Sequence, residues 1–218
     1  MSLAQPERAV ASGRPRVGDV FAHIQMSWDA PLQMWNARIL PGEYLAAGSE
    51  LAISTVLGSC ISACIRDPVS RVGGMNHFML PADASGGTSS WLDTTAGLAT
   101  RYGSFAMESL VNSLLKLGAR RDRLEVKLFG GGKILAAMTD VGDRNIAFAR
   151  SWLKAEGLPI VAADVGDTVP RRVIYIPKTG KVLLRHLRSL DSSAIASRET
   201  QYLTSVSQKG VGNDAELF

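Results

Sequence analysis

A chain of 218 residues, 46% hydrophobic and 20% charged, has the composition of a soluble globular protein, long enough for one well-cored domain with extensions. No apolar run approaches the roughly 18–20 residues that span a bilayer, and the opening MSLAQPERAVASGRPRVGDVF has no apolar segment of the secretory kind, so neither membrane insertion nor export is expected. The formal charge is 24 − 20 = +4, and the aromatic interleaving that stacks bases is absent, which argues against nucleic acid as a partner.

Residues 1–38 carry Pro6, Pro15 and Pro31, which interrupt any periodicity, and they read as an extension partly ordered by MSWDAPLQMW. The globular pattern, expected over 39–188, begins at ARILPGEYLAAGSELAISTVLGSC, where short apolar runs alternate with Pro-Gly and Gly-Ser turn signals and predict strands. ISACIRD and the stretch after DPVSRV continue the strand pattern, and DASGGTSS is a glycine-rich loop. The spacing of Leu98, Tyr102, Phe105, Ala106, Leu110 and Leu114 predicts a helix over 95–117, capped by Thr94 or Thr95 and stopped at Gly118. LEVKLF is a buried strand ending on GGGK. A second helix is expected over 144–156, with Asp143 as N-cap and Gly157 as stop. LPIVAADVG is a strand, and RRVIYI-PKTG-KVLLRHL a hairpin. Beyond about residue 189 the chain turns polar and reads as a mobile tail over 189–218. Many strands and two principal helices make a mixed α/β fold.

Basic residues cluster at Arg120, Arg121 and Arg123 and at Arg171, Arg172, Lys178, Lys181, Arg185 and Arg188. The plain reading is solvated surface; the sharper one is steering of an acidic partner. Two cysteines four positions apart make no disulfide framework and fit a reducing cytoplasm. Cys60 follows Leu-Gly-Ser where a strand over 51–57 should end, and His77 follows Gly-Gly-Met-Asn at 77 − 60 = 17 residues on. A strand, a turn and a returning strand fit that interval and would bring thiol and imidazole together across neighbouring strands. Gly58 would let the chain turn tightly, with the amides of Ser59 and Cys60 aimed at an incoming carbonyl. An ordinary thiol is only about 3% ionised near pH 7, so a pairing that lowered its pKa to about 6 would be worth roughly 3 kcal/mol. The bland alternative is a small buried hydrophobe, which suits Cys64 better because SACI offers it neither glycine nor partner. A zinc site of Cys60, Cys64 and His77 matches no common spacing and lacks a fourth ligand, so no metal is expected. GGGK lacks the G-x-x-x-x-G-K-[ST] spacing of a phosphate loop, with Ile134 after the Lys.

The blocks LPGEY, TVLGSC, CIRDP, GGMNHFMLP, RYGSFAM, KLFGGGK and GDRNIAF, in this order over Leu40 to Leu187, resemble the CheD family of chemoreceptor glutamine deamidases. The resemblance implies a central β-sandwich with helices on its outer faces. It also implies no cofactor and a Cys-His-hydroxyl triad. Cys60 matches the nucleophile, His77 the base, and Ser54 the position where the family usually carries Thr, six residues before the Cys. Alternation along a strand would turn the adjacent Thr55 to the other face. Gly58, Ser59 and Asn76 are the expected oxyanion and substrate-loop residues. A second departure is VGDTVPRR, where Asp167 stands in place of a second glycine. The implied partners are cytoplasmic receptor helices and a CheC-type phosphatase, and the implied reaction is amide hydrolysis through a Cys thioester. The alternatives are a non-catalytic module that regulates receptors or a phosphatase, and a general cysteine amidase or esterase.

Overall fold

Short apolar runs, punctuated by Gly, Pro and Asp, pair into two five-stranded sheets in the computed structural model, which describes residues 13–15, 17–80, 94–134, 140–187 and 192–209. The strands are β1 (Gln25–Asp29), β2 (Met34–Arg38), β3 (Tyr44–Ala47), β4 (Ala52–Leu57), β5 (Ile61–Asp67), β6 (Val72–Asn76), β7 (Glu125–Gly130), β8 (Ile160–Val165), β9 (Arg171–Ile176) and β10 (Lys181–His186). One sheet runs β1-β2-β4-β9-β10 and the other β3-β6-β5-β7-β8. All neighbours are antiparallel except β2/β4 and β7/β8. A parallel pair needs a crossover, and α2 (Val141–Ala155) supplies it between β7 and β8.

The helices α1 (Thr94–Lys116) and α2 pack on the second sheet, α1 against β3, β5 and β6 and α2 against β5. Their ends follow the expected glycines. Gly118 sits at φ +94° with Ala119 N donating to Leu114 O at 3.0 Å. Gly157 sits at φ +67° with Leu158 N donating to Leu153 O at 2.9 Å. Both closures are the left-handed stop that only glycine adopts without strain. α2 starts earlier than expected, with Asp140 rather than Asp143 before its first turn. The buried stripe of α1 is Met107, Leu110, Val111 and Leu114, whereas Phe105, expected on that stripe, is 60% exposed. One apolar core joins Ile53, Leu57, Val173 and Tyr175 of the first sheet to Leu45, Ile61, Met75 and Leu128 of the second.

The N-terminal end is ordered at MSWDAPLQMW, where order was expected, and the C-terminal end departs from expectation. Residues 25–38, expected within an extension, form the β1–β2 hairpin, whose Trp28 and Trp35 rings meet edge-on at 6.0 Å, and β2 then pairs with β4. Residues 192–209, expected as a mobile tail, form α3 (Ser192–Lys209), which buries Glu199 and Leu203. The basic clusters are largely neutralised in place. Arg123 pairs with the buried Asp67, Arg121 with Glu156, Arg120 with Asp122 and Lys178 with Glu50, while Arg171 is itself buried against Asp164. Arg172, Lys181 and Arg185 stay exposed. The DASGGTSS loop, Arg188 and the side chains of Thr94, Thr95 and Leu98 lie outside the described residues. Among the described residues no helix is long and apolar enough to cross a membrane.

Candidate active site

β4 ends in the first sheet and β5 begins in the second, so Gly58, Ser59 and Cys60 carry the chain from one layer to the other. All three carbonyls of this turn are tied back into the fold. Gly132 N donates to Gly58 O at 2.7 Å, Asn145 Nδ2 to Ser59 O at 2.8 Å, and Gly131 N to Cys60 O at 2.7 Å. With the oxygens fixed on one side, the three amide N–H groups converge on the other, which is the arrangement that stabilises an oxyanion. The GGG run is therefore a buttress and not a phosphate cradle. A Cβ on Gly130, at φ +108°, would lie 2.2 Å from Cys60 O, and one on Gly132 would lie 2.9 Å from Gly58 O. Gly58 is needed for space: a Cβ there would meet Ile134 Cδ1 at 2.1 Å and the Glu199 carboxylate at 2.7 Å.

His77 follows β6, and the bridge between Ile61 and Phe78 brings it beside Cys60, as the strand–turn–strand interval predicts. The hydroxyl that reaches the imidazole is Thr55, not Ser54. Thr55 Oγ1 lies 2.7 Å from His77 Nδ1 and donates to Ile39 O at 2.8 Å. A hydroxyl has one hydrogen. Since it goes to Ile39, the bond to the ring must run from Nδ1–H to Thr55, which leaves Nε2 with the lone pair. That nitrogen is buried and has no hydrogen-bond partner. The expectation for Ser54 fails on the pleat of β4: Thr55 shares the inward face with Ile53 and Leu57, and Ser54 points the other way. Asn76 is also not at the amide cluster. Its Oδ1 accepts from Ala63 N at 2.8 Å and its Nδ2 donates to Ala106 O at 3.1 Å, so it ties β6 to β5 and α1.

The group that faces the three amides is one the sequence reading missed, Glu199 of α3. Its Oε1 accepts from Gly58 N at 2.9 Å and Cys60 N at 3.2 Å. Its Oε2 accepts from Ser59 N at 2.7 Å and Ser59 Oγ at 2.5 Å. Burial pushes the Cys60 thiol well above its ordinary range, and the nearby Glu199 carboxylate raises it further. Burial pushes His77 down to about 3, so the imidazole is neutral. Thiol and imidazole therefore both rest uncharged. Cys60, His77 and Glu199 offer ligand-type atoms within 4.8 Å of one another. A metal would need a thiolate and an uncommitted carboxylate, and both Glu199 oxygens already accept N–H bonds. A hollow of about 80 Å³ opens beside His77, with Tyr44, Tyr102 and the exposed Phe105 in its lining. A broader depression bounded by Arg14, His23, Met26 and Arg38 includes none of these chemical groups. Cys64 is buried within β5, and its thiol is likewise raised by burial, as suits a core residue.

Asn145 was visible only as part of GDRNIAF, and nothing local marks it as the residue that bridges Ser59 O and Leu80 N. Glu199 carried a faint signal, in that Ile195, Ala196, Glu199, Tyr202 and Leu203 recur at helical spacing. A carboxylate in the middle of that stripe hides it.

The family model described as CheD chemotactic sensory transduction matches residues 79–186. A Hydrogenovibrio crunogenus protein named probable chemoreceptor glutamine deamidase CheD is 47% identical over 195 residues, which is 89% of this chain and 100% of that protein. A Halorhodospira halophila protein of the same name is 46% identical over 199 residues, 91% of each chain. A Dechloromonas aromatica protein named probable chemoreceptor glutamine deamidase CheD 1 is 50% identical over 193 residues, 88% of this chain and 92% of that one. Identity at this level over nearly the whole length shows that the chain belongs to the CheD family.

Proposed function

We propose that this protein is a cytoplasmic chemoreceptor glutamine deamidase in which Cys60 is the nucleophile, His77 the base and Thr55 the residue that orients the base. The activity named for its relatives supports the substrate, and the free thiols of Cys60 and Cys64 fit a reducing compartment. The observation that carries the catalytic reading is the Thr55 bond to His77 Nδ1, which presents a bare Nε2 beside a cysteine whose flanking amides converge. His77 Nε2 takes the Cys60 proton as sulfur attacks Cδ of the substrate glutamine. The amides of Gly58 and Cys60, which meet at one point, hold the oxyanion, and His77 returns the proton to the departing ammonia. Water, deprotonated by the same nitrogen, then attacks the thioester, and the C–S bond breaks to leave glutamate and the thiol.

The test is mass spectrometry of a receptor cytoplasmic fragment incubated with the full-length protein. Conversion of specific glutamines to glutamate is expected with the parent and with Cys64→Ala, and none with Cys60→Ala. Conversion by Cys60→Ala would remove the nucleophile assignment. Tight binding of the fragment without conversion by any form would favour a non-catalytic module instead.

A further inference from the structure

The carboxylate of Glu199 sits on the backbone amides that flank Cys60. Each of its oxygens is held by backbone N–H groups of Gly58, Ser59 and Cys60, and the side chain comes from one face of a helix. The same face contributes Leu203, which is buried, and Tyr202, whose hydroxyl bonds that of Tyr102 on α1. The Tyr202 hydroxyl also lies against Gly42, where an added Cβ would come within 2.7 Å of it. Glu199, Tyr202 and Leu203 are spaced as i, i+3 and i+4, so a single helical stripe fills the site.

We infer that α3 is a tethered product mimic: it occupies the site that receives a substrate helix, with Glu199 in the subsite of the deamidated side chain, and restrains the enzyme in cis. This rests on the deamidase reading above. The hydrogen-bond pattern separates product from substrate. Both oxygens of a carboxylate accept, which matches the donors at Gly58, Cys60 and Ser59. A glutamine would keep the Gly58 and Cys60 bonds through its carbonyl oxygen, but its –NH2 would confront the Ser59 N–H and must turn away from it. The carboxylate therefore seats better than the amide it would come from. It also suppresses the chemistry twice, by occupying the oxyanion donors and by setting a negative charge beside the Cys60 thiol. A receptor helix must displace it first.

A glutamine placed at this position is then a substrate presented in cis. Cys60 would form the S–Cδ bond as the C–N bond breaks and ammonia leaves with the proton carried by His77. Water would then cleave the thioester, so the net change is Gln plus water to Glu plus ammonia. The test is the full-length Glu199→Gln protein, purified and followed alone. The substituted residue should become roughly one mass unit heavier as amide turns to acid, at a rate independent of protein concentration, while Cys60→Ala/Glu199→Gln keeps its glutamine. In parallel, Glu199→Ala should raise kcat/KM on the receptor fragment at least about tenfold, because charge-assisted hydrogen bonds no longer hold the closed state. Its Cys60 should also alkylate faster with iodoacetamide. Persistence of the introduced glutamine in a Glu199→Gln protein that converts the receptor fragment would overturn the inference and leave the deamidase reading intact. Equal fragment rates in parent and Glu199→Ala would reject the restraint. If no form converts either the fragment or the introduced glutamine, the deamidase reading fails and the inference with it.

Discussion

Thr55 decides the state of His77 with one hydrogen atom. Because its hydroxyl donates to Ile39 O, it can only accept from Nδ1, and the neutral imidazole is held as the tautomer that bares Nε2. Thr55→Val keeps the shape and removes the acceptor. Its kcat on a receptor fragment should fall by about ten- to a hundredfold with little change in KM, since orientation of the base matters mostly in the transition state. Thr55→Ser should retain most activity, and Ser54→Ala should behave like the parent. A severe defect in Ser54→Ala beside a normal Thr55→Val would return the role to Ser54. That a hydroxyl lies five or six residues before the cysteine is legible in TVLGSC and the serine before it, but which of two adjacent hydroxyls faces inward depends on where the pleat of β4 starts. Asp167 takes φ +68° after Gly166 at φ +84°, a left-handed backbone that glycine would adopt freely and that Asp tolerates better than most.

At the scale of elements, the turn of Gly58, Ser59 and Cys60 is held in place because three other residues bind its carbonyls: Gly131 and Gly132 after β7, and Asn145 on α2. Asn145 is fully buried, with Oδ1 accepting from Leu80 N at 2.9 Å while Nδ2 donates to Ser59 O. Asn145→Ala would leave both backbone groups without their partner, at a cost of about 1–3 kcal/mol. It should also lower kcat on the receptor fragment, because Ser59 O is freed to rotate and the amide cluster loses its aim. Urea unfolding and fragment kinetics on the same sample check the two effects. Loss of stability with unchanged kcat would mean that Asn145 only packs α2. The glycines of KLFGGGK are plain in the sequence, yet their purpose is not. Nothing local shows that a Cβ at Gly130 would strike the carbonyl of a residue seventy positions earlier (130 − 60 = 70).

For the whole molecule, burial of titratable groups sets a pH window. His77 is pushed down to about 3 by burial, below its ordinary value of about 6.5, so the unfolded chain takes up the proton first. Stability from this group is present above about pH 6.5 and is lost as pH falls, by up to roughly 1.4 kcal/mol per pH unit. Burial alone would raise the Asp67 carboxyl, but the amides of Arg120, Val69 and Ser70 and the Arg123 guanidinium outweigh it and hold it below the usual carboxylate range. It adds a loss of the same sign below about pH 4. The Cys60 thiol, raised by burial and Glu199, acts oppositely: the unfolded thiol ionises above about pH 8.5 while the folded one does not, so stability falls there as pH rises. The urea midpoint should therefore be flat between about pH 6.5 and 8.5 and fall on either side. His77→Gln should flatten the acid limb between about pH 6.5 and 4; an unchanged limb would mean that His77 titrates normally in the fold.

Short apolar runs, glycine stops and the spacing from Cys60 to His77 are properties of short segments, and they were enough to determine the strands from β3 onward, the C-terminal stops of α1 and α2, the hairpin at Pro177–Gly180 and the placing of the imidazole beside the thiol. Four features depended on tertiary structure. β2 found an edge in β4, and β1 paired on β2 despite Pro31 between them. Thr55 replaced Ser54 because the layer beyond β4 contains His77. Arg123 and Arg171 left the basic surface because Asp67 and Asp164, remote or unremarkable in sequence, needed partners when buried or half-buried. The C-terminal helix is docked because Glu199 found backbone donors 199 − 60 = 139 residues away that no local pattern could announce. A carboxylate in an apolar stripe reads as a break in the helix face; only when three amides converge on it does it become the residue that holds the helix in place.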